Sequence, residues 1–253
     1  MDLLEIRQLS LYFGGIVALN EVGMTIKKGQ IHAVIGPNGA GKTSLFNCVS
    51  GVYHPTKGDI LLEGRSITDL KPHQIAQLGV SRTFQNIELF ANMSVIDNLL
   101  LGCHIRMNSG PFAGTLFYGK ALREEVENRL KVERIIDFLE IEKVRKKPVG
   151  MLPYGIQKRI ELGRALTMDP KILLIDEPVS GMNAEETEDI ARFILDIKEE
   201  IGVTIIMVEH DMGVVMDIAD TITVLDFGSK IAEGTPGEIQ SNPRVIEAYL
   251  GQD

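Results

Sequence analysis

Residues 36–43 of this chain read Gly-Pro-Asn-Gly-Ala-Gly-Lys-Thr and directly follow the apolar run 33–35. The next residues, 44–49, are typical of a helix, so the sequence predicts a strand, a glycine-rich loop and a helix in that order. Small residues let backbone N–H groups converge on an anion, and the helix start adds positive potential. The predicted nucleotide-binding residues are Gly36, Pro37, Asn38, Gly39, Ala40, Gly41, Lys42, Thr43 and Ser44. In this spacing Lys42 reaches the β- and γ-phosphates of a nucleoside triphosphate and Thr43 binds Mg²⁺.

Composition and length narrow the class of protein. A chain of 253 residues can bury a large α/β core, and its 24% of charged residues is ordinary for a globular protein. The formal net charge of −9 argues against a surface that wraps nucleic acid. Cys48 and Cys103 are too few for a disulfide framework and indicate a reducing compartment. With no secretory pattern at the start and no apolar run near the ~20 residues of a membrane-spanning helix, we expect a cytoplasmic protein that meets a membrane through a partner.

Short apolar runs alternate with helix-length segments, which is typical of a mostly parallel sheet covered by helices. The predicted strands are 3–9, 31–35, 60–62, 80–83, 172–175, 204–208 and 221–225, and the predicted helices are 42–50, 121–139, 156–167, 184–200 and 214–218. Residues 87–166 are helix-rich, interrupt the series of strands and include a Gly/Pro/aromatic loop at 108–114. We therefore predict one α/β nucleotide-binding core from 1–86 and 167–253, with a helical subdomain at 87–166 inserted into it.

Two adjacent carboxylates follow the apolar run 172–175. Ligands of open α/β sheets bind at the carboxyl ends of strands, which is where this run delivers Asp176. Asp176 is predicted to hold Mg²⁺, because this ion prefers oxygen ligands and keeps part of its water shell. Glu177 is predicted to polarise an attacking water as general base. An acidic turn after a strand is common by itself, but it is an improbable explanation once the phosphate loop is present.

Three single residues fit the same site. Gln85 follows the predicted strand 80–83 and is expected to reach Mg²⁺ or the attacking water at the junction with the helical insert. His210 follows the predicted strand 204–208, where a neutral imidazole can donate to a γ-phosphate. Phe13 precedes two glycines and can stack on a nucleotide base. Each of the three, taken alone, is explained equally well as a core or solvated residue. They support a nucleotide site only when they are taken together.

These residues, taken in order, resemble the ATP-binding-cassette (ABC) ATPases over the whole chain. The motifs that carry the resemblance are an aromatic residue for adenine at Phe13, Walker A from Gly36 to Thr43, a Q-loop at Gln85, a signature region at Leu152-Pro153-Tyr154-Gly155-Ile156-Gln157, Walker B ending at Asp176-Glu177-Pro178, a D-loop at Ser180-Gly181-Met182-Asn183 and a switch histidine at His210. Their number and order make a chance match negligible.

The resemblance implies a fold and a mechanism. The fold is a P-loop NTPase (RecA-like) core with a mostly parallel sheet, an N-terminal antiparallel β part and an inserted helical subdomain that carries the signature region. Two ATPase subunits, identical or paralogous, meet head to tail, and each MgATP is held between one chain's Walker A and the other chain's signature, here Gly155 in trans. Glu177 would activate water, Lys42 and His210 would stabilise the transferring charge, and Thr43, Gln85 and Asp176 would hold Mg²⁺.

Within the family, the chain looks like the ATPase of branched-chain (leucine/isoleucine/valine) or related amino-acid importers. The residues that suggest this are Phe13-Gly14-Gly15-Ile16-Val17-Ala18-Leu19, Arg82-Thr83-Phe84-Gln85, Pro111-Phe112, Ala232-Glu233-Gly234-Thr235-Pro236 and Tyr249-Leu250-Gly251. The implied partners are transmembrane permease subunits, which would dock near Gln85, and indirectly a substrate-binding protein, with no nucleic acid. The implied location is the cytoplasmic face of the inner membrane.

The signature departs from the usual Leu-Ser-Gly-Gly-Gln at Pro153, which has neither a hydroxyl nor a backbone N–H. Either Pro153 only rigidifies the turn before the helix, or it weakens the composite ATP site built on this signature. The D-loop carries Met182-Asn183 where Leu-Asp is usual, so only a dimer contact is expected there. Arg82 and the pair Lys158-Arg159 are expected either near the subunit interface or as solvated surface charge.

Three other functions compete with amino-acid import. An export or lipid-extraction ATPase shares the nucleotide site. A soluble ABC protein of DNA repair or translation would have a long coiled-coil insert or two fused cassettes, which this sequence lacks. A P-loop kinase or GTPase is disfavoured, because no Asn-Lys-x-Asp guanine signature is present and the signature region would be unexplained. Transport is the prediction, with import favoured over export.

Overall fold

The computed structural model describes residues 1–83, 87–103 and 120–250. The chain forms two compact units, one made of Met1–Arg82 with Lys171–Asp253 and the other of Thr83–Pro170. The α/β fold class predicted from the sequence is confirmed. The boundaries predicted for the inserted subdomain stay a prediction.

The described strands are β1 (Asp2–Phe13), β2 (Ile16–Lys27), β3 (Ile31–Ile35), β4 (Lys57–Leu62), β5 (Arg65–Ser66), β6 (Val80–Arg82), β7 (Ile172–Asp176), β8 (Thr204–Val208), β9 (Thr221–Asp226) and β10 (Ser229–Gly234). Six of them form one sheet in the order β10-β9-β3-β8-β7-β6. All neighbours in it are parallel except β9 and β10, which form an antiparallel hairpin. This confirms the mostly parallel sheet. The predicted strand 80–83 ends one residue early, at Arg82.

The N-terminal region forms a second, fully antiparallel sheet in the order β2-β1-β4-β5, which confirms the antiparallel β part. Residues of β1 such as Leu4, Ile6 and Leu9 join the core of the first unit together with Phe46. The sequence reasoning missed β2, β5 and β10. The pairing of β1 with β2 contains several register shifts. These shifts interrupt the alternation of buried and exposed residues by which a strand such as β2 is recognised in a sequence.

The described helices are α1 (Lys42–Val49), α2 (Pro72–Gln77), α3 (Val95–Cys103), α4 (Lys120–Phe138), α5 (Tyr154–Leu166), α6 (Ala184–Asp196), α7 (Met212–Ile218), α8 (Pro236–Gln240) and α9 (Pro243–Leu250). The predicted helix 184–200 is shorter than expected, since α6 passes at Ile197–Ile201 into a π-helical turn that ends at Gly202. None of the described helices combines the length and the apolar character needed to cross a bilayer.

In the second unit, α3, α4 and α5 pack against one another. The close approach falls at Gly163 of α5, where an added Cβ would lie 2.8 Å from Leu139 and 2.9 Å from Leu99. Asn98 is fully buried and donates to the carbonyls of Phe90 and Ser94, so it holds the segment before α3 in place.

Three strands of the parallel sheet position the site of the first unit. Every residue of β3, β7 and β8 is buried, so these strands cannot shift register without moving apolar side chains out of the core. Because the three strands run parallel, their carboxyl ends lie at the same edge of the sheet. The chain leaves them at Gly36, at Asp176 and Glu177, and at Glu209 and His210.

Candidate nucleotide-binding site

The phosphate loop predicted at 36–43 adopts a backbone that requires glycine. Gly36, Gly39 and Gly41 have φ angles of 151°, 81° and 100°, in the range that L-residues with a side chain rarely adopt. An added Cβ would lie 2.1 Å from the carbonyl oxygen of Leu225 at Gly36 and 2.6 Å from that of Ala18 at Gly41. The loop then leads directly into α1, which begins at Lys42.

A cavity of about 280 Å³ opens over this loop. It is lined by Ile16, Val17, Ala18, Asn38, Gly39, Ala40, Gly41, Lys42, Thr43, Ser44 and Glu177. The structure thus brings the predicted loop and the predicted general base to one cavity. Gly36 and Pro37 do not line it, although their carbonyl oxygens accept hydrogen bonds from Lys42 Nζ at 2.6 and 3.0 Å.

The pKa of Lys42 in the loop is lowered, mainly by burial. The negative charges of Glu177 and Asp176 act in the opposite direction. Its ammonium group is held only by carbonyl oxygens in the contacts above, and a phosphate oxygen with full negative charge is a stronger acceptor. The side chain is therefore suited to turn from these carbonyls to an incoming anion.

Asp176 ends β7 and forms a buried ion pair. Its Oδ2 accepts a hydrogen bond from Arg82 Nη2 at 2.9 Å, and the two side chains are 8% and 10% exposed. Arg82 also donates from Nη1 to Asn47 Oδ1 at 2.6 Å. The interpretation of Arg82 as a solvated surface charge is wrong, because its guanidinium lies inside the protein. The same holds for Lys158, which is 4% exposed and pairs with Glu161.

The oxygen donors present suit a Mg²⁺ ion. In the described part of the chain, no group of three His, Cys, Asp or Glu residues could hold a metal by itself. Mg²⁺ needs no such cage, because it keeps several waters and takes substrate phosphate oxygens with one or two protein ligands. The hydroxyl of Thr43, an exposed residue, and the carboxylate of Asp176 fit that requirement. Gln85, the third predicted ligand, lies outside the described residues.

Glu177 has an unusual backbone conformation for a residue with a side chain. Its φ angle is 46°, and its N–H donates to the carbonyl of Val208 at 2.9 Å, which ties it to the end of β8. Its Oε1 lies 3.8 Å from Nδ1 of His210, which is 60% exposed. The structure therefore brings the predicted base and the predicted switch histidine together beside the cavity.

Two aromatic residues meet at the end of β1. Phe13 is 45% exposed and packs edge-to-face on Tyr53, with ring centroids 5.2 Å apart. Phe13 does not line the cavity, whereas Ile16 and Val17 at the start of β2 do. Its role toward a base stays a prediction. Tyr53 was missed, because it lies in a turn-rich segment that carries no periodic pattern.

In the second unit, the signature region lies at the start of α5. Pro153 occupies the N-cap position with an extended backbone (φ −56°, ψ 152°) and makes no side-chain cap. The first intrahelical hydrogen bond is donated by Gln157 to Pro153, so the N–H groups of Tyr154 and Gly155 precede the helical ladder. Such free donors at a helix start suit an anion.

Comparisons with known proteins all match ATP-binding cassettes of ABC transporters. Residues 19–180 match the family described as "ABC transporter", and residues 229–253 match "Branched-chain amino acid ATP-binding cassette transporter". The chain is 41% identical to the high-affinity branched-chain amino acid transport ATP-binding protein BraF of Pseudomonas aeruginosa, over 99% of this chain and 98% of that protein. It is 40% identical to the corresponding protein LivG of Escherichia coli, with the same coverage. Among solved structures it resembles the ADP conformation of MJ1267, an ATP-binding cassette of an ABC transporter, with a TM-score of 0.87, 33% identity and full coverage of both chains.

Proposed function

Since this chain belongs to the ABC transporter family, we propose that it hydrolyses MgATP to drive import of branched-chain or related amino acids through separate permease subunits. The observation that carries the proposal is that Lys42, Thr43 and Glu177 line one cavity. The amino-acid cargo is supported by the near full-length similarity to BraF and LivG. The C-terminal match at residues 229–253 supports the same subfamily.

In the proposed complex, the triphosphate of ATP lies along the phosphate loop. The N–H groups of residues 39–44 and the start of α1 bind the phosphate oxygens. Lys42 turns from the carbonyls of Gly36 and Pro37 to the β- and γ-phosphates. Phe13, supported by Tyr53, is the proposed platform for the adenine ring.

Thr43 and Asp176, with Gln85, would hold Mg²⁺, which when bound neutralises charge that develops on the phosphates. Arg82 fixes one oxygen of the Asp176 carboxylate before nucleotide binds. The second oxygen is the one that would accept from a water of the bound Mg²⁺. The protein thus contributes a metal ligand whose orientation is set in advance.

Glu177 is the proposed general base. It takes a proton from the attacking water at the cavity edge, and His210 beside it donates a hydrogen bond to the γ-phosphate. Lys42 stabilises the charge on the transferring group. These roles need Glu177 and His210 to hold a set distance from the phosphates, since misplacement by ~1 Å costs about 100-fold in rate.

A second ATPase subunit, identical or paralogous, would complete the site head to tail. The N–H of Gly155 and its neighbours at the start of α5 would then face the partner's γ-phosphate. Nucleotide would shift the pair toward its closed form, because the γ-phosphate bridges two surfaces only in that form. The assembly would sit on the cytoplasmic face of the inner membrane with its permeases and an external binding protein.

The proposal is tested on the complex purified from its native membrane. We expect membrane-spanning permease chains to co-purify with the wild type and with Glu177→Gln, while ATP hydrolysis falls at least about 100-fold only in Glu177→Gln, because the amide cannot accept the water proton. Glu185→Gln, on the exposed first turn of α6, is the matched control and should hydrolyse normally. Co-purification of soluble nucleic-acid factors would contradict the transport role, and normal hydrolysis by Glu177→Gln would contradict the assignment of the base.

A further inference from the structure

A buried carboxylate directly after β8 has no place in the mechanism above. Glu209 has no exposed surface, yet its carboxylate accepts three backbone hydrogen bonds. Oε1 accepts from the N–H of Val179 at 3.1 Å. Oε2 accepts from the N–H of His210 at 2.7 Å and from that of Asp211 at 3.1 Å. Such a charge is tolerated inside a protein because its oxygens are satisfied by fixed donors.

The three donors belong to two separate segments of the site. Val179 follows Glu177 by two residues, and His210 is the next residue after Glu209. One carboxylate therefore joins the segment that carries the proposed base to the segment that carries the proposed γ-phosphate ligand. Both segments lie beyond the ends of β7 and β8, so the backbone ladder between those strands reaches only as far as the bond from the N–H of Glu177 to Val208, and the Glu209 carboxylate makes the next link.

The backbone conformation of Glu177 needs support from the contacts around it. A φ of 46° is unfavourable for a glutamate and persists only where surrounding contacts hold it. On one side of the residue, its own N–H is bonded to Val208. On the other side, the Glu209 carboxylate holds Val179. The two anchors bracket Glu177.

We propose that Glu209 is a positioning residue for ATP hydrolysis, which sets the distance between Glu177 and His210 without contacting nucleotide. The inference rests on the roles proposed for those two residues. Glu209 is not among the residues that line the cavity, so a positioning role predicts an effect on the rate of hydrolysis rather than on the binding of ATP.

Glu209→Gln tests the link with almost no change in volume. A glutamine has one acceptor oxygen and one NH₂ group. If its oxygen stays on the N–H groups of His210 and Asp211, its NH₂ faces the N–H of Val179, and that bond becomes a donor–donor repulsion. We expect kcat of the full chain in its purified complex to fall about 100-fold, as for a ~1 Å displacement of reacting groups, with KM for ATP within about twofold of the wild type.

Two variants make the result specific. Glu238→Gln is the matched control: Glu238 accepts the N–H of Thr235 at the start of α8, and glutamine serves that cap as well, so kinetics should be unchanged. Glu177→Gln is the benchmark for the catalytic assignment. If Glu177→Gln is inactive but Glu209→Gln hydrolyses ATP within twofold of the wild type, the positioning role is wrong and the proposed function stands. If Glu209→Gln loses ATP affinity in step with rate, its role is merely structural and the inference is also overturned.

The wild-type protein supplies a test that does not depend on a variant folding. The amide hydrogens of Val179, His210 and Asp211 should exchange slowly with deuterium although they lie outside regular elements. Rapid exchange at Val179 would show that the carboxylate does not hold both segments and would overturn the proposal.

Discussion

His32, the second residue of β3, is a histidine whose ring has no exposed surface. Nδ1 lies 3.1 Å from the amide nitrogen of Gln30, and Nε2 lies 2.8 Å from the hydroxyl of Thr223. The amide nitrogen is a donor, so the ring accepts at Nδ1 and donates its one proton from Nε2 to Thr223. The contact with Gln30 therefore selects the neutral ring, because protonation at Nδ1 would break it, whereas the Nε2–H bond to Thr223 fits either charge state.

This environment makes the stability of the fold depend on pH. Burial lowers the pKa of His32 to about 4 from 6.5. Because the folded pKa is the lower one, the unfolded chain binds the extra proton first as the pH falls. His32 therefore contributes about 3 kcal/mol to the free energy of unfolding above pH 6.5. This contribution is lost as the pH falls from about 6.5 to 4.

Urea unfolding of wild type and His32→Gln across pH 4–7 isolates this contribution from the carboxylates that titrate nearby. The difference between the two free energies of unfolding should shrink as the pH falls through that window. His73→Gln, at an exposed position of α2, should run parallel to the wild type at every pH. Parallel curves for wild type and His32→Gln would show that folding does not lower the pKa of His32.

At the scale of elements, Arg82 connects α1, β6 and β7. From the end of β6 it pairs with Asp176 of β7, donates to Asn47 of α1 and lies over the ring of Phe46, 5.7 Å from the ring centre. The helix that follows the phosphate loop and the strand that carries Asp176, the proposed metal ligand, are thus held by one guanidinium. Only arginine offers donors in a planar fork for such simultaneous contacts.

We expect Arg82→Met to lower the free energy of unfolding by about 3–5 kcal/mol, because it leaves the Asp176 carboxylate buried without its cation. Arg7→Met, which breaks the exposed pair with Glu5, is the control and should cost less than about 1 kcal/mol. Urea unfolding measures both. Adding Asp176→Asn to Arg82→Met should restore most of the lost stability, and a double variant as unstable as the sum of the singles would contradict a charge-based effect.

This ion pair also shows where inference from the sequence stops. The strand and its terminal Asp176 could be predicted, because an apolar run and the residue after it are local features. Its partner lies 94 residues away, and nothing in the sequence around Arg82 indicates that pairing. Glu209 carried a faint signal, a carboxylate directly after a wholly apolar strand, but its three N–H donors could be identified only from the folded chain.

At the scale of the whole molecule, the family and the mostly parallel sheet could be predicted from the sequence. Each motif is a local chemical requirement, and the order of the motifs along the chain is compatible with few topologies. The sequence analysis missed β2 and the hairpin that β10 forms with β9. Neither could be predicted, because the sequence of one strand does not determine which strand it pairs with. Phe13 shows the same limit: its place before two glycines suggested a base contact, while its packing on Tyr53 is visible only in three dimensions.

Pro153 is the position where assembly of two chains can be tested. Its extended backbone already matches that of a helix N-cap, so Pro153→Ser should fit without backbone change. The serine adds a hydroxyl at the start of α5, where the proposed partner presents its γ-phosphate. A hydrogen bond to a charged group contributes about 1.5–3 kcal/mol, so we expect ATP hydrolysis by the purified complex to rise at least about tenfold.

The control for Pro153→Ser is Pro236→Ser, which changes a proline at the start of α8 and should leave the rate unchanged. Both rates are measured on complexes with the same subunit composition, so that the rise reports the composite site rather than the yield of assembly. A faster rate in Pro153→Ser alone would mean that the ATP site built on this signature limits the complex. An unchanged rate would mean that the backbone N–H groups from Gly155 onward suffice and that Pro153 acts only as the start of the helix.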